Sequence, residues 1–174
     1  MGPLSGVACT TSRPGTVWIV RSLSLESCTL VDVPFASIDP VFSEPRSLVL
    51  WDRGVAEVKV KTRGPVRAGF AFDTIGYGRG GRPGKRSSYE IVEVTRRAAK
   101  TRLVDSRVFD DALWTMQFEP IERRTRVLCT VEMTLRRRFA LLGPVLRRMT
   151  RAIDRDLEFL KAAIESRYDS AGVV

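Results

Sequence analysis

The chain has 174 residues, a hydrophobic fraction of 44% and no histidine. That length suits one domain with a substantial core, and the missing imidazole removes Ser-His and Cys-His nucleophile schemes together with the commonest metal ligand. The net charge is +9, but the arginines are scattered, which describes a solvated basic surface better than a single nucleic-acid-binding block.

No run of about 18 apolar residues exists to span a membrane. The N-terminus lacks an early Lys or Arg and a long apolar stretch, so it does not read as a secretion signal, and a cytoplasmic location is expected. Cys9, Cys28 and Cys129 are far apart and odd in number, with no CxxC pair. Neither a disulfide framework nor a structural zinc site is expected, and no metal or cofactor is assigned.

Residues 1–15 contain Pro3, Gly6, Pro14 and Gly15 without periodicity and read as a flexible leader. The domain is expected over 16–168, with a flexible tail at 169–174. From Thr16 to Val33 the β-branched and apolar residues predict a strand that ends at Pro34. Residues 35–50, interrupted by Pro40 and Pro45, suit short helical turns. After Trp51 the period becomes two: Val58 and Val60 alternate with Glu57, Lys59 and Lys61. A turn at Gly64-Pro65 leads to a strand with Phe70, Phe72 and Thr74 on one side and Ala71, Asp73, Ile75 and Tyr77 on the other. Further strands are predicted at about 86–95, 99–108, 111–119 and 124–136, joined by short polar turns. Parallel crossovers need a dozen or more residues, so the sheet must be antiparallel. Pro144 marks a helix start. Leu142, Leu146, Met149, Ile153, Leu157, Leu160 and Ile164 then form one apolar stripe, which predicts a single helix over about 143–166 lying on the sheet.

Several stretches carry a family resemblance over residues 27–166. They are Val33-Pro34; Ser43-Glu44-Pro45-Arg46-Ser47-Leu48 followed by Trp51; Gly54-Val55 with Val58 and Val60; Gly64-Pro65-Val66 with Gly69; Tyr89-Glu90-Ile91-Val92-Glu93-Val94; and Phe118-Glu119-Pro120 before Thr125-Arg126-Val127. In order and spacing they resemble the START-like (SRPBCC) superfamily, in its polyketide cyclase/dehydrase-type branch. The resemblance implies an α+β helix-grip fold, with a seven-stranded curved antiparallel sheet around a long C-terminal helix and two short helices after strand 1. Pro40 departs from the pattern and should break or shorten the first of these helices. The resemblance also implies a cavity between sheet and helix for an apolar small molecule such as a lipid or polyketide.

Residues expected to face that cavity are Phe70, Phe72, Tyr89, Trp114, Met116, Phe118, Val131 and Met133 from the sheet, with Met149 and Ile153 from the helix. The competing reading is a solid core built from the same side chains. Asp105 and Arg107, two apart on one expected strand, are candidate polar cavity groups if that face turns inward, and a surface pair if it turns outward. Trp51 is expected to be structural, packing the short helices onto the sheet edge. No catalytic residue can be carried over from the family.

Three functions stay open: an apolar-ligand binder, a metal-independent cyclase or dehydratase-like enzyme using the same cavity, and an interaction module acting through a basic face. Arg136, Arg137, Arg138, Arg147, Arg148 and Arg151 would supply that face for an acidic carrier protein or an anionic surface, with nucleic acid less favoured. Gly76, Gly78 and Gly81 match a GxGxxG spacing, but a strand follows instead of the helix whose N-terminus would hold a pyrophosphate.

Overall fold

The structure is a computed structural model that describes residues 21–38, 42, 44–80 and 82–171. The expected leader, the first residues of the expected opening strand and Pro40 lie outside the described residues. Among the described residues there are seven strands: β1 (Ser22–Val31), β2 (Val55–Val60), β3 (Ala71–Gly76), β4 (Arg86–Val94), β5 (Ala98–Val104), β6 (Phe109–Ile121) and β7 (Arg124–Leu135). They form one antiparallel sheet in the order β1-β7-β6-β5-β4-β3-β2. Strands β2 to β7 follow one another as a meander, as their short connections require. Only β1 must reach across the sheet, and it pairs with the last strand.

Between β1 and β2 the chain makes short 3-10 turns at Phe35–Ser37 and Pro45–Ser47 and one short helix, α1 (Leu48–Trp51). Helix α2 (Gly143–Leu146) and a 3-10 turn at Arg147–Met149 precede the long helix α3 (Thr150–Ala171). The uninterrupted helix expected from 143 is therefore corrected: one helical turn is followed by a 3-10 break, the long helix begins at Thr150, and it runs into what was expected to be a tail. The apolar stripe is continuous through both parts, so periodicity alone could not reveal the break.

The alternation read in β7 is real. Thr125, Val127, Cys129, Val131, Met133 and Leu135 are all buried. They meet the inner face of β1, where Leu25 and Val31 are buried. Helix α3 closes this end with Leu157, Leu160 and Ile164, each at most 2% exposed. Burying these three contributes about 1.5–3 kcal/mol per side chain. Polar contacts fix the helix along β1. Ser27 Oγ donates to Asp154, Thr29 Oγ1 donates to Glu158 at 3.1 Å, and the Asp32 backbone N–H donates to Glu165 at 2.8 Å.

Sheet curvature has a local cause. Register shifts occur at Val55/Glu57, Ile91/Glu93 and Phe109/Asp111, and such irregularities bend a strand and increase its twist.

β3 is covered on both sides, and Phe72, Asp73, Thr74 and Ile75 are all buried. Asp73 is the reason. Its carboxylate accepts hydrogen bonds from Arg86 Nε at 2.7 Å and Ser88 Oγ at 2.6 Å, and pairs with Lys61 Nζ at 2.6 Å. The long stems of Lys61 and Arg86 lie with their charged ends over this acid and cover the outer face of the strand. Burial by itself would push the Asp73 carboxyl up, but Lys61, Ser88 and Arg86 outweigh it and bring it down to about 2.

Asp73→Asn should therefore cost about 1–3 kcal/mol at neutral pH. A carboxyl depressed on folding stabilises the protein above its unfolded value of 3.8, and that stabilisation is lost as pH falls toward about 2. Urea unfolding of both proteins should show a clear gap at pH 7 that narrows at pH 2.5. Coincident midpoints at pH 7 would rule out this role for Asp73.

Candidate functional site

A straight helix cannot follow a bent sheet along its whole length. Helix α3 is packed shut at its C-terminal end, and a cavity of about 330 Å³ opens beside its N-terminal part. The sheet wall comes from β3 to β7: Phe72 and Thr74, Tyr89 and Ile91, Ala99 and Thr101, Trp114, Met116 and Phe118, and Cys129. Met149, Ala152, Ile153 and Asp156 form the helical wall. Phe42, Pro45, Leu48, Trp51 and Asp52 come from the short segment that follows β1.

Strand pairing explains why the aromatic residues meet. Tyr89 is directly opposite Phe72, and Trp114 is opposite Thr101. Directly paired residues share a face. The Phe72 and Tyr89 rings stack with centroids 5.5 Å apart, and Tyr89 meets Trp114 edge-on at 5.7 Å. On the same wall Met116 is opposite both Ala99 and Cys129, so one methionine is flanked by two small side chains. The small neighbours leave the space that the helix does not fill.

Of the residues expected to face the cavity, Phe72, Tyr89, Trp114, Met116, Phe118, Met149 and Ile153 are on its walls. Phe70, Val131 and Met133 are not. Phe70 is buried in a smaller cluster with Phe72 and Ile91, while Val131 and Met133 are shut inside the main core, beyond Cys129 on β7 and opposite Leu25 and Leu23 of β1. Alternation gives the correct face of a strand but does not say how far along it the helix leaves room. Asp105 and Arg107 are also corrected. β5 ends at Val104, and both residues are exposed in the turn to β6. Asp105 has φ of 58° there, and Ser106 Oγ accepts the backbone N–H groups of Val108 and Phe109. A hydroxyl-capped turn has replaced the expected last residues of the strand.

Trp51, expected to be structural only, packs against the main core and also lines the cavity. Its indole Nε1 is buried and has no hydrogen-bond partner among the described residues. An unpaired buried donor is costly, and it is a position where a ligand acceptor gains free energy.

The polar part of the cavity is acidic. Asp52 follows α1 and its carboxylate accepts the Gly54 N–H at 2.8 Å. Asp156 reaches the same cavity from α3. Burial pushes the Asp52 carboxyl up, opposed by the Gly54 hydrogen bond. Burial, and then the neighbouring charge of Asp52, push Asp156 up to about 6, opposed by Arg155. Tyr89 is raised by burial and by Asp52, against hydrogen bonds with Thr74 and Ser87. Burial and the Asp156 charge push the Cys129 thiol up to about 12, so it is not a thiolate nucleophile at neutral pH. Asp156 had a signal in the sequence. It is three residues from Ile153 and seven from Met149, an acid set on the apolar stripe of a helix. Asp52 had none, since its position depends on how the segment after β1 folds back. Among the described residues, no group of three or more His, Cys, Asp or Glu side chains is placed to hold a metal ion.

Comparison with known proteins agrees with this geometry. The profile of a family described as polyketide cyclase/dehydrase and lipid transport matches residues 22–165. No curated protein sequence matches the chain at a significant level. Among solved structures, the di-domain aromatase/cyclase StfQ from the steffimycin biosynthetic pathway superposes with a TM-score of 0.69 at 17% identity, covering 87% of this chain and 52% of that one. The Zhui aromatase/cyclase from Streptomyces sp. R1128 gives 0.65 at 13% identity, over 88% and 99% of the two chains. The protein TTHA0849 from Thermus thermophilus gives 0.61 at 18% identity, over 86% and 99%. At such identities these likenesses establish the helix-grip fold.

The raised Asp156 carboxyl has a consequence for stability. Between its unfolded value of 3.8 and about 6, the folded chain keeps a proton that the unfolded chain has released. Stability therefore falls as pH rises through that window and stays lower above it. Asp156→Asn removes this cost. Discounted for partial exposure, the gain should be about 2–4 °C in Tm at pH 7.5, the response of a domain this size to about 1 kcal/mol. Calorimetry at about pH 3.5 should show almost none of it. An equal gain at both pH values would assign the effect to something other than the carboxylate.

Proposed function

Because the chain belongs to the polyketide cyclase/dehydrase and lipid transport family, we propose that it binds an apolar small molecule, of lipid or polyketide type and without an anionic headgroup, between the sheet and α3. The observation that carries this reading is the contrast between the cavity and the rest of the molecule. The chain has a net charge of +9, yet the charged residues along the cavity are Glu44, Asp52 and Asp156, with no Lys or Arg among the described lining residues. A carboxylate or phosphate brought there would be desolvated against like charge with no cation to pair it. A neutral carbonyl or hydroxyl suits the site better. It could accept from Trp51 Nε1 or from the protonated form of Asp156, while the rest of the molecule is in contact with Phe72, Tyr89 and Trp114. The volume is at the lower end of the range for small-molecule pockets, about 300–1,000 Å³, which favours a compact ring system over a long chain held whole.

One observation favours a second reading, a cyclase-like enzyme. Two carboxyls whose proton affinities are raised to different degrees in an apolar cavity can divide the roles of acid and base. Asp156, near half-protonated at about pH 6, could exchange a proton with an enolisable ligand, while the Asp52 charge acts on both Asp156 and Tyr89. Binding without turnover and binding with turnover share the same cavity. They separate on Asp156→Asn, which should leave affinity intact and abolish product formation only in the enzyme.

A matched probe pair tests the binding reading. At pH 7.5, 2-naphthol should quench tryptophan fluorescence on titration, and 2-naphthoate should bind at least tenfold more weakly. Met149→Trp should weaken naphthol binding by about tenfold although it adds apolar area, because it fills the space the ligand needs. Tighter binding of the naphthoate, or naphthol binding indifferent to Met149→Trp, would defeat the proposal.

A further inference from the structure

The segment joining β7 to α3 has a chemistry that the cavity does not use. Residues 136–151 carry six arginines and no acid. Between the two arginine groups are apolar side chains with unusual exposure: Leu141 at 83%, Val145 at 59% and Leu142 at 39%. Folded proteins seldom leave neighbouring large apolar side chains this open without a partner. Arg136 is tied to Asp110 at 3.8 Å, and Arg138 donates to the Arg107 carbonyl at 3.2 Å and lies over the Phe139 ring. Arg137, Arg148 and Arg151 are exposed, and among the described residues no carboxylate forms an ion pair with them. The Arg147 side chain lies outside the described residues.

The geometry points to a docking site for an anionic membrane surface, with Leu141, Leu142 and Val145 entering the headgroup region and Arg137, Arg148 and Arg151 pairing with lipid phosphates. Two independent features are explained together. The unpaired arginines need anions, and the exposed aliphatic side chains need an apolar medium; a bilayer of acidic lipids supplies both in one plane. Nucleic acid or an acidic protein would satisfy the arginines and leave Leu141 in water. No helix among the described residues is long and apolar enough to cross a membrane, so the contact is peripheral and reversible. The same segment includes Met149, a wall of the cavity, so docking would bring the helical side of the cavity beside the bilayer. The docking itself does not depend on what the cavity holds.

The test is sedimentation of the full chain with vesicles of phosphatidylcholine alone and with one quarter phosphatidylglycerol, at low and high salt. Binding is expected only to the mixed vesicles, and it should weaken as salt rises. Arg137→Glu with Arg148→Glu should reduce partitioning at least tenfold, since each basic residue near such a surface contributes about fivefold. Leu141→Asp with Val145→Asp should reduce it comparably. Both changes fall on exposed residues, so melting temperatures should match the parent and exclude misfolding. As a gain of signal, Leu141→Trp should show a blue-shifted emission increment with the mixed vesicles. No binding to the mixed vesicles at low salt overturns the inference. So does loss of binding in the arginine variant with none in the aspartate variant, which would leave simple attraction to phosphate or to an acidic protein. Naphthol binding is measured in parallel and should be unchanged in both variants, so failure here is separable from failure of the cavity reading.

Discussion

Helix α3 is held to the sheet chiefly at β1, through Leu157, Leu160 and Ile164 below and the contacts of Asp154, Glu158 and Glu165 with Ser27, Thr29 and the Asp32 amide alongside. This one-sided attachment constrains the rest. A helix fixed there leaves β3 to β6 to curve away from it, and the interval becomes the cavity. Had the apolar stripe met large side chains along its whole length, the same fold would have a solid core. Instead Met116 is flanked by Ala99 and Cys129, and the helical wall includes Ala152. The position of the small residues is therefore as informative about function as that of the aromatic ones.

The second organising feature is an inversion of charge. The outside of the molecule is basic, and the cavity is bordered by acids. Asp52 and Asp156 are on different elements; burial raises both, and the Asp52 charge raises Asp156 further. Asp73 shows the opposite outcome only one face away. It is more deeply buried than either, but Lys61, Arg86 and Ser88 surround it and hold it ionised. Three aspartates in one small domain thus differ according to what faces them. Asp73 braces the sheet edge, while Asp52, held by the Gly54 N–H, and Asp156 leave the cavity with carboxyls that no cation among the described residues is paired with.

The break at Arg147–Met149 gives the region before α3 its character. With the break, Met149 and Ile153 stay on the cavity wall while Leu141, Leu142 and Val145 are left exposed. Apolar residues that serve the interior and apolar residues that face solvent thus lie on either side of the interruption, within a single run of the sequence.

Much of the architecture was determined by the sequence alone. Period-two alternation from Val127 to Leu135 places those residues on the inner face wherever the strand sits, and short polar turns exclude any parallel arrangement. The stripe from Met149 to Ile164 requires a helix with a sheet to lie on. Tyr89, Trp114, Met116 and Phe118 were legible as inward-facing for the same reason. Periodicity is local, however, and the position of the cavity along a strand is not. It could not show that Val131 and Met133 would be sealed in the core while Cys129, two residues before Val131, would border the cavity. Nor could it show that Asp105 and Arg107 would fall in a turn, since that depends on where the β5 ladder ends. The meeting of Asp52, Trp51 and Asp156 was decided only by tertiary structure. More than a hundred residues separate Asp52 from Asp156 along the chain, and only the folding of the segment after β1 against α3 brings two carboxyls and an unpaired indole N–H into one low-dielectric space, where their charges and proton affinities become coupled.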